Sequence, residues 1–236
     1  MTGRWWHHER LRNGAGYALT AALSVALLAR FLHLWNADLT VPLYYNGDSI
    51  FTAMQVRTVL DHGWYLKNPR VGMPQGGEMY DFPLPETVHF ALLKLLGLCG
   101  CNCIVAINLY YLLSYPLTAL TSYLVLRHFG CGRLGALVAS LLFAFIPYHF
   151  YRSIRHLFLA CYYLVPLMVM VVLWVYGEPG LLFSRREGEE RMRLTPFSWR
   201  VLAGVVVCLL SASAGAYYAF FTCFFLAVAG LFRAAT

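Results

Sequence analysis

Uncharged hydrophobic runs divide this chain. Asn13 to Ala29 and Cys99 to Leu126 contain no charged residue, and Leu134–Tyr151, Leu157–Gly177 and Val201–Phe232 are further apolar blocks. A helix rises 1.5 Å per residue, so about 20 apolar residues cross a hydrocarbon core about 30 Å thick. The pattern predicts an all-α integral membrane protein, a single membrane domain over residues 1–236. Its five transmembrane helices fall at 15–35, 102–126, 134–151, 157–177 and 201–232. The last run is longer than one crossing needs, and Ser211-Ala-Ser-Ala-Gly-Ala216 at its centre can bend or divide it, giving six partial spans.

Between the first two runs, residues 36–101 form a segment of different texture. It holds six of the chain's eleven acids: Asp38, Asp48, Asp61, Glu78, Asp81 and Glu86. Long loops in compact domains are functional or disordered, and the aromatic and aliphatic content here argues for order. One helix is expected from about Ser49 to His62, ended by Gly63, and a second from about Pro85 to Leu96. In the first, Gln55, Thr58 and His62 share a stripe among apolar positions, which reads as a helix lying on the membrane surface. Arg57 and Asp61 are spaced to pair at i, i+4. Residues 67–83 are rich in turn formers.

Charge placement orients the spans. Arg4, Arg10 and Arg12 precede the first, Arg127 and Arg133 separate the second and third, and Arg185, Arg186, Arg191, Arg193 and Arg200 separate the fourth and fifth. The positive-inside rule makes that side cytoplasmic, so residues 1–14 and 178–200 are cytoplasmic and 36–101 is an outer loop. A bacterial inner (plasma) membrane fits, with the first span an uncleaved anchor. Composition agrees: 60% hydrophobic and 12% charged, against roughly a quarter charged in soluble domains. The net charge of +7 calls for anionic membrane lipid, not nucleic acid. Cys99-Gly-Cys-Asn-Cys103 has the look of a metal cluster, but no His lies nearby and four ligands are not in view, so small residues at the start of a span explain it.

Two groups of residues carry candidate chemistry. Asp48 follows Asn46-Gly47 at a helix start, where Asp is a favoured N-cap, and Asp81 in Tyr80-Asp-Phe-Pro83 suits an Asx turn. Opposite them, Thr87 to Gly177 contains no Asp or Glu, yet the outer end of the third span reads Pro147-Tyr-His-Phe-Tyr-Arg-Ser-Ile-Arg-His156. At 100° per residue His149, Arg152, Ser153 and His156 share one helical face, with Arg155 flanking it. Cations at membrane depth face a cavity, a partner or a substrate. Three uses are open: binding an anionic substrate through Arg forks, contact with lipid headgroups, and ion pairing to the loop acids. Arg30 and His33 end the first span on the same side. Tyr110, Tyr111, Tyr115 and Tyr123, with Asn108 and Ser114, point to a polar cleft beside the second.

The order of these motifs resembles the GT-C superfamily of integral-membrane glycosyltransferases. It is most similar to a bacterial branch with Gly-Asp opening the loop helix (Gly47-Asp48), then Tyr-Asp-Phe-Pro (80–83) and Pro-Tyr-His…Arg…His (147–156). The resemblance covers residues 15–230. It implies transfer of a sugar from a polyprenyl-phosphate donor to an acceptor on the outer face, with Asp48 as general base. His149, Arg152, Arg155, His156 and Asp81 would then bind donor and phosphate. No Asp-x-Asp is present in a second loop, so a divalent metal has no support and no cofactor is expected. The superfamily has more spans, which implies further helices or a partner subunit for a chain of this length. Two other classes fit the same residues: a transporter or flippase for a lipid-linked or anionic substrate, and a non-catalytic membrane subunit.

Overall fold

The computed structural model describes residues 2–72, 74–82, 84, 86–177, 183–184, 193–194 and 198–235. It is mostly helical, and among the described residues five segments are long and apolar enough to cross a membrane: Gly14–Leu32, Cys103–His128, Arg133–Arg152, Ile154–Gly177 and Ala216–Ala235. The chain forms two compact units, Met1–Leu84 with His89–Tyr163, and Pro85–Val88 with Leu164–Thr236.

The first unit opens with α1 (Thr2–Leu32), which ends where His33 adopts a left-handed conformation at φ 50°. The run to Trp35 therefore does not continue as one helix; Leu34–Asn36 is a short 3-10 turn. Then come α2 (Asp48–His62), stopped by Gly63 at φ 96°, and a two-residue antiparallel pair, β1 (Lys67–Asn68) with β2 (Gly77–Glu78). Next is α3 (Thr87–Leu98), its Gly97 packed against Leu60 of α2. Central to the unit is α4 (Cys103–His128), whose N-cap Asn102 accepts from the Val105 N–H. It is flanked by α1 and by α5 (Arg133–Ala144).

Small residues let these helices approach. Thr20 and Ser24 on α1, and Ala136, Ser140 and Ala144 on α5, are buried at four-residue spacing, the pattern of helices that associate in lipid. The outward faces reverse the water-soluble arrangement: Leu19, Val25, Phe31, Leu134, Val138 and Leu142 are exposed. Such a continuous apolar surface suits hydrocarbon rather than water.

The third run is not one helix. After Phe145-Ile146 the chain restarts at Pro147 as α6 (Pro147–Arg152), breaks at Ser153, forms a 3-10 turn over Ile154–His156, and resumes as α7 (Leu157–Ala160). The second unit contains α8 (Val165–Gly177), the strand pair β3 (Phe183–Ser184) with β4 (Arg193–Leu194), α9 (Trp199–Ala212) and α10 (Ala216–Ala235). The fifth run is thus divided, at Gly215 with φ 139°. At 14 residues α9 rises about 21 Å, short of a full crossing. Trp174 is fully buried among these helices, and an apolar cleft of about 430 Å³ lies between α8 and α10.

Candidate active site

The turn before α2 is built by Asn46, Gly47 and Ser49. The Ser49 hydroxyl accepts from the Asn46 N–H at 2.9 Å and donates to the Asn46 carbonyl at 2.8 Å. Gly47 supplies φ 54°, ψ −132°, a conformation open to glycine. Asp48 was expected to cap the helix. Instead it is the first helical residue and its side chain makes no capping bond. Its carboxylate stands 70% exposed at the positive end of the helix, where negative charge is stabilised.

The approach to this turn is anchored from α4. Asn108, fully buried, accepts from the Leu43 N–H at 3.2 Å and donates to the Leu39 and Val41 carbonyls at 2.9 and 2.8 Å. One side chain thereby satisfies three backbone groups of the segment leading to Asp48. The underside of α2 buries Thr52, Gln55, Val56, Thr58 and Val59 and leaves Ile50 and Phe51 outward. Two of the three residues of the polar stripe, Gln55 and Thr58, therefore face the protein, together with Val56 and Val59. Asn68 donates to Thr58 at 2.7 Å within that interface.

The second half of the site depends on Ser153. It adopts φ 48°, ψ −157°, unusual for a residue with a side chain, and redirects the chain after α6. The single helical face expected for residues 149–156 is not formed, because the helix stops here. The redirected turn lies over the first one. His156 Nδ1 is 3.3 Å from Asp48 Oδ2, and Arg155 Nε donates to Asn46 Oδ1 at 3.1 Å. The aliphatic stem of Arg155 passes 3.6 Å from where a Gly47 Cβ would stand.

His149 is not brought to this turn. It is fully buried, its Nδ1 2.9 Å from the Ala144 carbonyl and its Nε2 2.7 Å from the Ser114 hydroxyl. It stacks face to face on Tyr115 at 3.6 Å. Both nitrogens are engaged in the core, so nothing remains to hold an anion. Arg152 lies over the Tyr148 ring at 5.1 Å, and its Nε is enclosed without a hydrogen-bond partner among the described residues. Asp81 is exposed in a turn closed by Phe82 N–H to the Met79 carbonyl. Phe82 packs on Phe51, one turn beyond Asp48, at 5.8 Å, so the Tyr-Asp-Phe segment borders the same end of α2. Arg30 and His33 are exposed, His33 against Trp35.

Tyr110, Tyr111 and Tyr115 of α4 are buried and form a polar spine. Tyr110 bonds His89 and Tyr163, and Tyr111 bonds Tyr115 at 2.7 Å. Sequence reasoning took Asn46 only as part of the turn and Asn108 only as a neighbour of the tyrosines, and it missed Ser49 as a builder of the site. A lone Asn inside the apolar run of α4 was the available signal, since a buried amide needs partners.

Comparison with protein-family models, with curated proteins and with solved structures gives no match.

Proposed function

We propose that the chain is an integral-membrane glycosyltransferase of the GT-C kind, with a cytoplasmic N-terminus in a bacterial inner membrane. It moves a sugar from a polyprenyl-phosphate donor to a hydroxyl acceptor on the outer face. The observation that carries this reading is an exposed carboxylate, Asp48, held by His156 and bordered by Arg155.

A hydroxyl is a weak nucleophile, and a positioned base contributes roughly 10²–10⁴-fold. His156 engages Oδ2 and leaves Oδ1 for the acceptor. As the acceptor oxygen bonds to the anomeric carbon, its proton passes to Asp48. The bond from that carbon to the phosphate oxygen breaks, and the lipid phosphate departs with the electron pair. Arg155 and Arg152 supply the cationic donors such a leaving group needs. His156 acts as a positioning residue for the base rather than a phosphate ligand, and His149 fixes α6 from the core. Lipid phosphate leaves without protonation, so one carboxylate suffices, unlike the pair in glycoside hydrolysis.

The test is incubation of membranes containing the chain with radiolabelled polyprenyl-phosphate sugars. Label appearing on a non-lipid acceptor, above membranes lacking the chain, supports transfer. Label that crosses the bilayer still attached to its lipid supports the flippase reading instead. Neither, across the donor panel, contradicts both.

A further inference from the structure

A second cluster of donors lies at the far end of α4. Tyr17 of α1 and Tyr123, Leu124, Arg127 and His128 of α4 line a cleft of about 250 Å³. None of these residues is acidic. From Asn108 to Arg127 the helix rises about 28 Å, close to a hydrocarbon thickness, so this cleft stands at the opposite end of the span from Asp48.

The cleft has features of a built site. Tyr123 is only 1% exposed and lines the cleft. Its ring is fixed edge-on against Tyr17 at 5.0 Å. Gly16 makes room for it, because a Cβ there would collide with the Tyr123 hydroxyl. Arg127 spends one guanidinium nitrogen on the Cys131 carbonyl, which orients the group and leaves further N–H donors.

We propose that this cleft binds a phosphate group, that of an anionic phospholipid headgroup, through Arg127 and the hydroxyls of Tyr123 and Tyr17. The chemistry is that of charge-assisted bonds from a guanidinium and phenols to phosphate oxygens. Tyrosine at this depth presents an apolar ring to lipid and a polar tip to the headgroups. The proposal is independent of the transfer reaction at the other end.

The test is native mass spectrometry of the full chain in neutral detergent, titrated with phosphatidylglycerol, with diacylglycerol of the same acyl chains, and with inorganic phosphate. Phosphatidylglycerol is expected to bind and diacylglycerol not. Arg127→Gln should weaken binding roughly tenfold and Tyr123→Phe roughly fivefold, the loss of bonds to a charged group. Tyr123→Phe keeps the ring packing, and thermal melting verifies that each variant is folded. Arg200→Gln removes the same charge elsewhere and should leave binding unchanged. Displacement of the lipid by millimolar phosphate would make free phosphate the ligand of the same site. Wild-type binding in both cleft variants, or an equal loss in Arg200→Gln, overturns the proposal.

Discussion

His156 Nδ1 lies 3.3 Å from Asp48 Oδ2, which closes the turn after α6 onto the turn before α2. Beside it, Arg155 reaches Asn46 across 109 residues of sequence. Neither contact buries its polar groups deeply, so their value is geometric. They hold one carboxylate oxygen and one arginine at a shared, open edge.

Removing the imidazole should therefore affect geometry more than stability. Asp48 is largely exposed, and pairs of that kind contribute about 0–1 kcal/mol. His156→Ala is expected to shift Tm little and to lower sugar transfer by up to about 10²-fold, the scale set by a misplaced reacting group. His156→Gln, whose amide can still donate to Asp48, should recover most of the rate. Equal rates in the alanine and glutamine variants would remove the positioning role.

Backbone conformation at the two turns makes opposite demands. Gly47→Ala should destabilise by about 1–3 kcal/mol although a Cβ would make only ordinary contact with the Arg155 stem, because the cost is conformational. Ser153→Gly should stabilise by about 1 kcal/mol by relieving the same kind of strain. Thermal melts of both variants in one detergent test the pair.

Asn108 should be sensitive to substitution. Asn108→Ala leaves one N–H and two carbonyls of residues 39–43 without their partner, a cost of about 2–4 kcal/mol. Asn108→Asp restores the acceptor but sets an oxygen against the Leu39 and Val41 carbonyls, and should be no better. Limited proteolysis within residues 37–47 should rise in both.

The hydrophobic runs made the helices legible, since length and absence of charge are sufficient signals for spans. The division of the last run was legible too, from Ser211–Ala216 with Gly215 among them. A break was legible between the spans ending at 151 and starting at 157, but its place at Ser153, inside the helical face read over residues 149–156, was not. Tyr-His-Phe-Tyr-Arg-Ser-Ile-Arg contains no Gly or Pro, and its periodicity reads as helix. The orientation of α2 was hidden for another reason. Gln55 and Thr58 look solvent-facing in isolation, whereas here both are buried, Thr58 accepting from Asn68, and the exposed face carries Ile50 and Phe51. His149 was grouped with the arginines because helical spacing cannot distinguish a cleft-facing histidine from one whose nitrogens are satisfied by Ser114 and Ala144.

Glu86 sets a pH dependence away from the site. Burial pushes its carboxyl above its ordinary range, and Oε2 is enclosed without a partner among the described residues. A raised pKa in the folded state means that ionisation is resisted there. Stability is thus lost as pH rises from the unfolded value, about 4.3, through the folded one. Glu86→Gln should raise Tm at pH 7, with the gain vanishing below about pH 4. A gain that persists at low pH would place the effect elsewhere.

The most direct measurement compares donor binding with transfer in Asp48→Asn. The amide preserves shape and removes the proposed base, so on that reading donor retention should match wild type while transfer falls by roughly 10²-fold or more. Transfer within a few-fold of wild type would contradict the assignment of Asp48 as the base.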